Sequence, residues 1–311
     1  MQRDKKINRG NQTAQKAGGL ADLTAREFRQ NGAAIPRRHW VGGDPFATAF
    51  FNSLSAIFPQ GEAFMVRSMA AWRGKMPPKL DADLRKFLEQ EAAHSREHED
   101  MNGALTKSGY DISALEAVIG KLVARFKGRS DITKLLATAC IEHFTAIIAA
   151  EILENGSHLA GADEEQLPIW IWHAVEEVEH KAVAYDCFLE ATKEWSALKR
   201  VSARNLMMFV ITASFFINRT RGQVTLLRQD GFGRIAALFG TLRYGFAKGG
   251  LGRNVLKPWA RFLKPGFHPA QIDDRHLITK GERLFADLQA ADKAKQQPAE
   301  RRKNIRLPKA A

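Results

Sequence analysis

Residues 84–101 read LRKFLEQEAAHSREHEDM, and residues 169–180 read IWIWHAVEEVEH. Each stretch contains a glutamate followed three residues later by a histidine: Glu91 with His94 in the first, and Glu177 with His180 in the second. Residues three apart lie on one face of a helix, so each pair can bind the same metal ion. The two stretches therefore predict two long helices that carry matching metal-binding pairs.

The helix faces that carry these pairs are otherwise apolar. At helical spacing, the pairs are flanked by Leu84, Leu88, Met101 and Leu105 in the first stretch and by Ile169, Ala184 and Cys187 in the second. A bare carboxylate in such a core is costly unless it is paired or binds a cation. The alternative interpretation, ordinary surface pairs three residues apart, does not explain the apolar surroundings.

The pattern of caps and breakers predicts four helices, which we call A to D. Helix A starts after Asp44 as N-cap, pauses at Pro59 and Gly61, and resumes through Met69. Helix B covers about 81–107 with Gly109 as its stop signal, helix C runs from Asp131 as N-cap to about 155, and helix D covers about 164–194. Four helices of this length joined by modest connections are typical of an antiparallel bundle.

Helices A and C add one inward-facing acid each, Glu62 and Glu142. One Glu from each of two helices plus an E-x-x-H pair from each of the other two is the ligand set of di-iron and di-manganese carboxylate bundles. Over residues 44–194 the chain therefore resembles the ferritin-like superfamily. This resemblance implies an all-α, ferritin-like four-helix bundle with a C-terminal helical, basic extension.

Several motifs are similar to those of narrower families. FPQGEAFM (58–65), EQEAAHSREH (89–98), CIEHFTA (140–146), IWHAVEEVEHKAVAYD (171–186) and FHP (267–269) resemble the bacterial family named predicted metal-dependent hydrolases. His173, Glu177 and His180 form an H-x3-E-x2-H pattern that is similar to the extra-histidine pattern of di-iron arylamine N-oxygenases. The second resemblance implies that His173 is a seventh ligand; the alternative is a core histidine satisfied by a backbone carbonyl.

The expected metal ligands are thus Glu62, Glu91, His94, Glu142, His173, Glu177 and His180. His98 is expected either to contact a ligand or to be a plain polar residue of the bundle, and Glu176 and Glu179 are expected to face solvent or a neighbouring helix.

Oxygen and nitrogen donors without sulfur suit two iron ions, or manganese or a mixed iron–manganese pair, better than zinc. The first functional prediction is an O2-dependent oxidase or oxygenase acting on a small, hydrophobic substrate. A metal-dependent hydrolase with a metal-activated water is the alternative, and a non-catalytic iron-binding or structural bundle is another. Ligand type does not choose among them.

The chain divides by composition into a disordered leader (1–34), the di-metal bundle (35–198), a basic extension rich in apolar and aromatic residues (199–288) and a disordered tail (289–311). Residues 199–264 contain thirteen Lys or Arg and one acid, which is +12 of the net charge of +13. Within them, LMMFVITASFFI (206–217) is too short to span a membrane and suits a buried fifth helix or an interfacial segment.

The basic extension predicts a partner surface rather than a fold. This surface is expected to attach to an anionic membrane, to cover the bundle as a lid or to form a homodimer. Nucleic acid is disfavoured as a partner because the sequence contains no nucleic-acid-binding motif. Only two cysteines occur, Cys140 and Cys187, which excludes a disulfide framework and a cysteine zinc site. With no visible signal peptide, the expected location is the cytoplasm, either free or peripheral to the membrane.

Overall fold

Helices dominate the part of the chain that the computed structural model describes, residues 23–26, 28, 29 and 34–304, with side chains described as far as residue 295. Within these residues the only β-type pairing is an isolated bridge between Val41 and Ala162. The predicted all-α fold is confirmed. Most of the predicted disordered leader lies outside the described residues.

Predicted helix A consists of two helices, α1 (Pro45–Ser55) and α2 (Phe58–Ala70). Asp44 caps α1 as predicted, since its carboxylate accepts hydrogen bonds from the backbone N–H groups of Phe46 and Ala47. The break falls at residues 56 and 57, before the predicted pause at Pro59. Pro59 instead occupies the first turn of α2, where a missing backbone N–H costs nothing.

Helix B is confirmed as α3 (Pro78–Lys107), with Gly109 at a φ of 93° after its end. An additional helix that the sequence pattern did not predict, α4 (Ser113–Ala124), follows. Helix C is α5 (Asp131–Glu154). Its N-cap is Ser130 and not Asp131 as predicted, because the Ser130 side chain accepts the backbone N–H of Thr133 while Asp131 already belongs to the first turn.

Predicted helix D is interrupted directly after its last predicted ligand. It forms α6 (Leu167–His180) and α7 (Val183–Ala191). At the break the Lys181 ammonium, which is largely buried, donates to the backbone oxygen of Ile272 at 2.7 Å and to the carboxylate of Asp274 at 2.5 Å. The C-terminal part of the chain therefore holds the end of α6 in place.

Helices α2, α3, α5 and α6 contact one another pairwise in a closed ring, α2 with α3, α3 with α6, α6 with α5, and α5 with α2. Their inward faces supply much of the main core, including Leu84, Phe87, Leu135, Ile169 and Trp172, all fully buried. The ring also encloses buried acids and imidazoles, which are described below.

The remaining helices are α8 (Ala197–Gln229), α9 (Arg234–Phe246), α10 (Leu251–Asn254), α11 (Leu256–Phe262) and α12 (Arg275–Asn304). Helix α8 packs on α1 and α5, and α12 packs on α6. At Gly281 a Cβ atom would lie 2.3 Å from the Val175 side chain, so only glycine permits this close approach of α12 to α6. The tail expected to be disordered from residue 289 continues α12 as far as Asn304.

The length of the apolar run 206–217 predicts a separate short helix, and the structure does not contain one there. These residues are the middle of the 33-residue α8, because the polar residues on either side continue the same helix. Among the described residues, α5 and α8 are long and apolar enough to cross a membrane. In α5, 72% of the most apolar 18-residue stretch is buried, as in a core helix, whereas in α8 only 11% of the corresponding stretch is buried.

Candidate metal centre

Two groups of potential metal-binding side chains meet inside the ring of helices. Glu91, His94, Glu177 and His180 each offer one ligand atom, and these atoms lie within 4.8 Å of one another. Glu62, His94 and His173 form a second such group, which shares His94 with the first. All these side chains are buried. The structure thus brings six of the seven predicted ligands together, from α2, α3 and α6.

The seventh predicted ligand, Glu142 of α5, lies outside these two groups but contacts one of their members. Its Oε2 is 2.8 Å from Nδ1 of His180, while its Oε1 has no hydrogen-bond partner. A carboxylate behind one imidazole nitrogen turns the other nitrogen in a defined direction, here Nε2 towards Glu91 at 3.1 Å. That Glu142 is itself a metal ligand stays a prediction, whereas its contact with His180 suits it to orient this imidazole.

Most of the inward-pointing polar atoms have no hydrogen-bond partner. Those without one are both carboxylate oxygens of Glu62 and of Glu91, Oε1 of Glu142, Oε2 of Glu177, Nδ1 of His94 and Nε2 of His180. Leaving one buried polar group unsatisfied costs about 1–3 kcal/mol, and more for a charged group. Cations placed among these atoms would remove the cost at all of them, so the residues present fit metal ions.

The hydrogen bonds behind His173 define which of its nitrogens carries the proton. The Asn102 amide donates to the backbone oxygen of Ser55, so its Oδ1 accepts the Ser55 hydroxyl. Because the Ser55 hydroxyl donates its proton to Asn102, its Oγ can only accept a further hydrogen bond. It accepts Nδ1–H of His98 at 3.0 Å. His98 Nε2 in turn accepts Nδ1–H of His173 at 2.8 Å.

This series of hydrogen bonds leaves Nε2 of a neutral His173 without a proton. Its lone pair faces Oε1 of Glu177 at 2.9 Å and Oε1 of Glu62 at 3.8 Å. Burial lowers the pKa of His173, and the nearby His94 lowers it further, which favours the neutral ring. Two acceptors at 2.9 Å repel each other unless a cation is shared between them. The geometry therefore suits His173 as a ligand and His98 as the residue that orients it, which is one of the two alternatives that the sequence leaves open for each.

Behind His94 lies a residue whose position the sequence pattern did not predict. Glu176 is buried, and its carboxylate lies 3.0 Å from Nε2 of His94, which directs Nδ1 towards Glu91 and Glu177. Arg26 binds this region from outside the bundle: its backbone N–H donates to Glu176, and its guanidinium pairs with Glu179. Of the two alternatives expected for Glu176 and Glu179, the solvent-facing one is wrong, because both side chains are buried. The neighbouring-helix alternative holds, because Glu176 contacts His94 and Glu179 accepts from Gln90, both on α3.

The reason for this error is physical. Glu176 is one position before Glu177, about 100° around the helix, so periodicity places it off the ligand face. It is nevertheless buried because residues 23–26 cross this side of α6 and supply Arg26 as a counter-charge. The adjacency of a third acid to an E-x-x-H pair is a signal, but Arg26 lies 150 residues away and no local pattern connects them.

Burial and neighbouring charges shift the pKa values of these side chains. Burial raises the pKa of Glu62 well above its ordinary value, and the neighbouring Glu91 raises it further. Burial also raises the pKa of Glu142, to about 8, although His180 opposes the shift. For His94 burial lowers the pKa, but the hydrogen bond to Glu176 and the nearby negative charge of Glu91 outweigh burial and raise the pKa to about 10. Without a cation, the cluster therefore retains protons at neutral pH.

The fold and this cluster together define an all-α protein with a buried carboxylate–imidazole site able to hold metal ions. A model of the family described as "Predicted metal-dependent hydrolase" matches residues 24–273, and the chain belongs to this family. No curated protein and no solved structure matches the chain significantly. The family description agrees with the hydrolase alternative and does not support the oxidase or oxygenase that the ligand set first indicated.

Proposed function

We propose that the protein is a hydrolase whose ring of helices holds two divalent metal ions. The observation that carries this proposal is the set of inward-facing, buried carboxylate and imidazole atoms without hydrogen-bond partners. Glu62, Glu91, Glu142 and Glu177 contribute four negative charges when the three imidazoles are neutral. Two divalent cations would neutralise them. The family description supports hydrolysis as the reaction class.

Two bound cations would supply a water that is deprotonated near neutral pH and a positive field for charge that develops on a carbonyl or phosphoryl oxygen. Glu91 and Glu177, from the E-x-x-H pairs of α3 and α6, belong to the four-residue group with His94 and His180, and their carboxylates would hold metal there. His94, His180 and His173 point one nitrogen each towards the centre. Glu142, Glu176 and His98 hold these three imidazoles by their other nitrogens.

Glu62 and Phe58 of α2 separate the centre from a large cavity that both residues line. Phe58 packs its ring 4.8 Å from that of His173 and 4.7 Å from that of His98. The aromatic ring shields these imidazoles from water, while the Glu62 carboxylate is the ligand-type group at the cavity. A substrate would therefore approach the centre from the Glu62 side.

Iron is the proposed metal, with manganese or a mixed pair as the alternative, since the donors are oxygen and nitrogen only. Metal analysis of the purified protein beside a Glu91→Ala/Glu177→Ala variant tests the site: about two ions per chain are expected in the wild type and fewer than one in the variant. A wild type without metal, or with many ions per chain as in an iron store, contradicts the proposal.

The reaction class needs a separate measurement. We expect the metal-loaded protein to hydrolyse members of a panel of esters and phosphoesters and the double variant to be inactive. In parallel, the chemically reduced protein is mixed with air-saturated buffer in an oxygen electrode. Stoichiometric oxygen consumption with a transient absorption band, and no hydrolysis, would replace the hydrolase proposal by the oxygenase.

We also propose that the protein works at the surface of an anionic membrane. Large apolar side chains are exposed on α8 and α9, which contact each other: Leu198, Leu206, Phe209, Val210, Phe216, Ile217, Ile235, Leu238, Phe239, Leu242 and Phe246. The surrounding residues 199–264 are strongly basic. Apolar side chains beside Lys and Arg favour anionic lipid headgroups and the adjoining acyl region.

Helix α8 is expected to lie on the membrane and not to span it, because two buried arginines tie it to the protein. Arg204 donates to Tyr185 and to the backbone oxygen of Lys264, and Arg219 donates to Ser53 and to the backbone oxygen of Phe50. These anchors lie on either side of the apolar run. Withdrawing α8 into a bilayer would expose both guanidinium groups to hydrocarbon.

A further inference from the structure

A long cavity of about 1370 Å³ runs between α2, α4, α5 and α8. This volume exceeds the roughly 300–1,000 Å³ of ordinary small-molecule sites. Its walls are mostly apolar, with Leu122 and Val123 from α4, Ile141 from α5, and Met207 and Ile211 from α8. The shape and lining suit a hydrocarbon chain better than a compact polar metabolite.

The cavity follows α8 for much of that helix. Ala203 and Arg228 both line it, and at 1.5 Å per residue they lie roughly 38 Å apart along the helix axis. Glu62, whose two carboxylate oxygens have no hydrogen-bond partner, lines the same cavity and belongs to one of the two metal-binding groups. A chain lying along α8 would thus pass the metal centre.

Charge along the cavity is strongly one-sided. Among the lining residues Glu62 is the single acid, whereas six arginines line the cavity. Arg219 is buried, with Nε lacking a hydrogen-bond partner, and the exposed ones are Arg125, Arg129, Arg221, Arg228 and Arg234. The planar guanidinium group matches carboxylate and phosphate oxygens.

The cavity also opens on the exposed apolar face of α8 and α9. Leu206, Val210 and Leu238 line the cavity and are at the same time exposed to solvent. A molecule leaving a lipid surface would therefore enter the cavity without first crossing a polar rim at these residues.

We infer that the cavity binds a single-chain amphiphile, a long hydrocarbon chain with an acidic headgroup, whose chain lies along α8 and whose headgroup pairs with the arginines. This substrate class rests on the proposed function only in placing the reacting bond of the molecule next to Glu62. The acidic group is a carboxylate or a phosphate, which share the same recognition by arginine.

The test is titration calorimetry of the metal-loaded, full-length protein with saturated fatty acids of 10, 12 and 14 carbons, each below its micelle concentration. Tetradecyl phosphate distinguishes the two headgroups, and a tetradecyl trimethylammonium salt controls for charge. Affinity should rise with chain length by up to about fourfold per methylene. The ammonium compound should bind at least tenfold more weakly than the acid of equal length.

Charge-reversal variants locate the headgroup. Either Arg125→Glu/Arg129→Glu or Arg221→Glu/Arg228→Glu should weaken binding of the acids at least tenfold. The matched control is Lys79→Glu/Arg85→Glu, which makes the same charge change at exposed positions of α3 that do not line the cavity. Leu122→Trp, which fills the cavity, should weaken the 14-carbon acid more than the 10-carbon acid. Melting curves verify that each variant is folded.

Any of three results overturns the inference. The acid and the ammonium compound bind with equal affinity, or affinity does not depend on chain length, or both arginine-pair variants and the control variant lose the same affinity. Failure of the proposed function is distinguishable, because Glu91→Ala/Glu177→Ala should lose metal and hydrolysis while still binding the acids. Conversely, a metal-loaded, hydrolytic wild type that binds no amphiphile refutes the substrate class alone.

Discussion

Replacing Glu62 by glutamine should change the stability of the protein in opposite directions with and without metal. Glu62 is 2% exposed, and neither of its carboxylate oxygens has a hydrogen-bond partner. Burial, and then the charge of Glu91, raises its pKa well above the ordinary 4.5. A carboxyl group in this state does not stabilise the fold, which agrees with the proposal that Glu62 binds a cation.

The magnitude follows from the pKa shift. A carboxyl group whose pKa is raised in the folded protein holds its proton there to a higher pH than it does in the unfolded chain. The penalty is absent below pH 4.5 and grows with pH up to the folded pKa; at pH 7 it reaches at most about 3 kcal/mol. Glutamine removes this penalty but leaves its own amide partly unsatisfied, at about 1–2 kcal/mol. At pH 7 the metal-free variant should therefore be more stable than the wild type, by up to about 1–2 kcal/mol.

With metal bound the sign reverses, because the wild-type carboxylate would then bind the cation and the glutamine would not replace its charge. Thermal unfolding, followed by circular dichroism, is measured for wild type and Glu62→Gln after chelation and after reloading. The chelated variant should melt up to a few degrees higher at pH 7.5, and the difference should reverse below about pH 5, where the wild-type penalty is smaller than the cost of the glutamine amide. The reloaded variant should melt lower than the reloaded wild type.

The matched control is Glu89→Gln, an exposed position on the same bundle, where no difference is expected in either state. If Glu62→Gln destabilises the chelated and the reloaded protein by the same amount, Glu62 has a structural role and the reasoning fails. If the melting temperature of the wild type does not respond to metal at all, the centre does not hold the ions.

The other predictions concern the surroundings of the centre and the surface. Glu176→Gln should weaken metal affinity 10–100-fold without loss of helix content, as judged by competition with a chromogenic chelator; unchanged affinity would show that Glu176 does not orient His94. Metal binding at pH 7 should release protons and strengthen as pH rises, because the hydrogen bond to Glu176 and the charge of Glu91 outweigh burial and raise the pKa of His94 to about 10. Calorimetry in buffers of different ionisation enthalpy measures this release, and identical heats in all buffers would contradict it. The protein should sediment with anionic vesicles at low salt and less at high salt, and Ile235→Glu/Phe239→Glu, which are 84% and 71% exposed, should reduce binding at least tenfold. Equal binding to zwitterionic vesicles would contradict the preference for anionic lipid, and a dimer that buries this face would replace the membrane by a second copy of the chain.

The sequence alone was sufficient for features that arise within one helix. The E-x-x-H spacing places Glu91 with His94 and Glu177 with His180 on common faces, and the apolar neighbours turn those faces inward. His173 lies one turn before Glu177, so it falls on the same face of α6. These relations depend on 3.6 residues per turn and on burial of apolar surface, both of which are readable from the order of residues.

Features that depend on where helices end were predicted less well. The pauses at residues 56–57 and 181–182 and the cap at Ser130 differ from the expected positions by a few residues or split a predicted helix. At Lys181 the cause is tertiary, since its partners Ile272 and Asp274 lie about ninety residues further along the chain. Helix propensity near residue 180 contains no information about them.

What only the tertiary structure decided is which groups stand behind the ligands and what surrounds them. The pairing of Glu176 with Arg26, the chain from Asn102 through Ser55 and His98 to His173, and the cavity beside Glu62 each join segments distant in sequence. Periodicity determines the face on which a side chain lies. The partner that it meets there depends on how the helices pack, because long-range contacts carry no local signature in the order of residues.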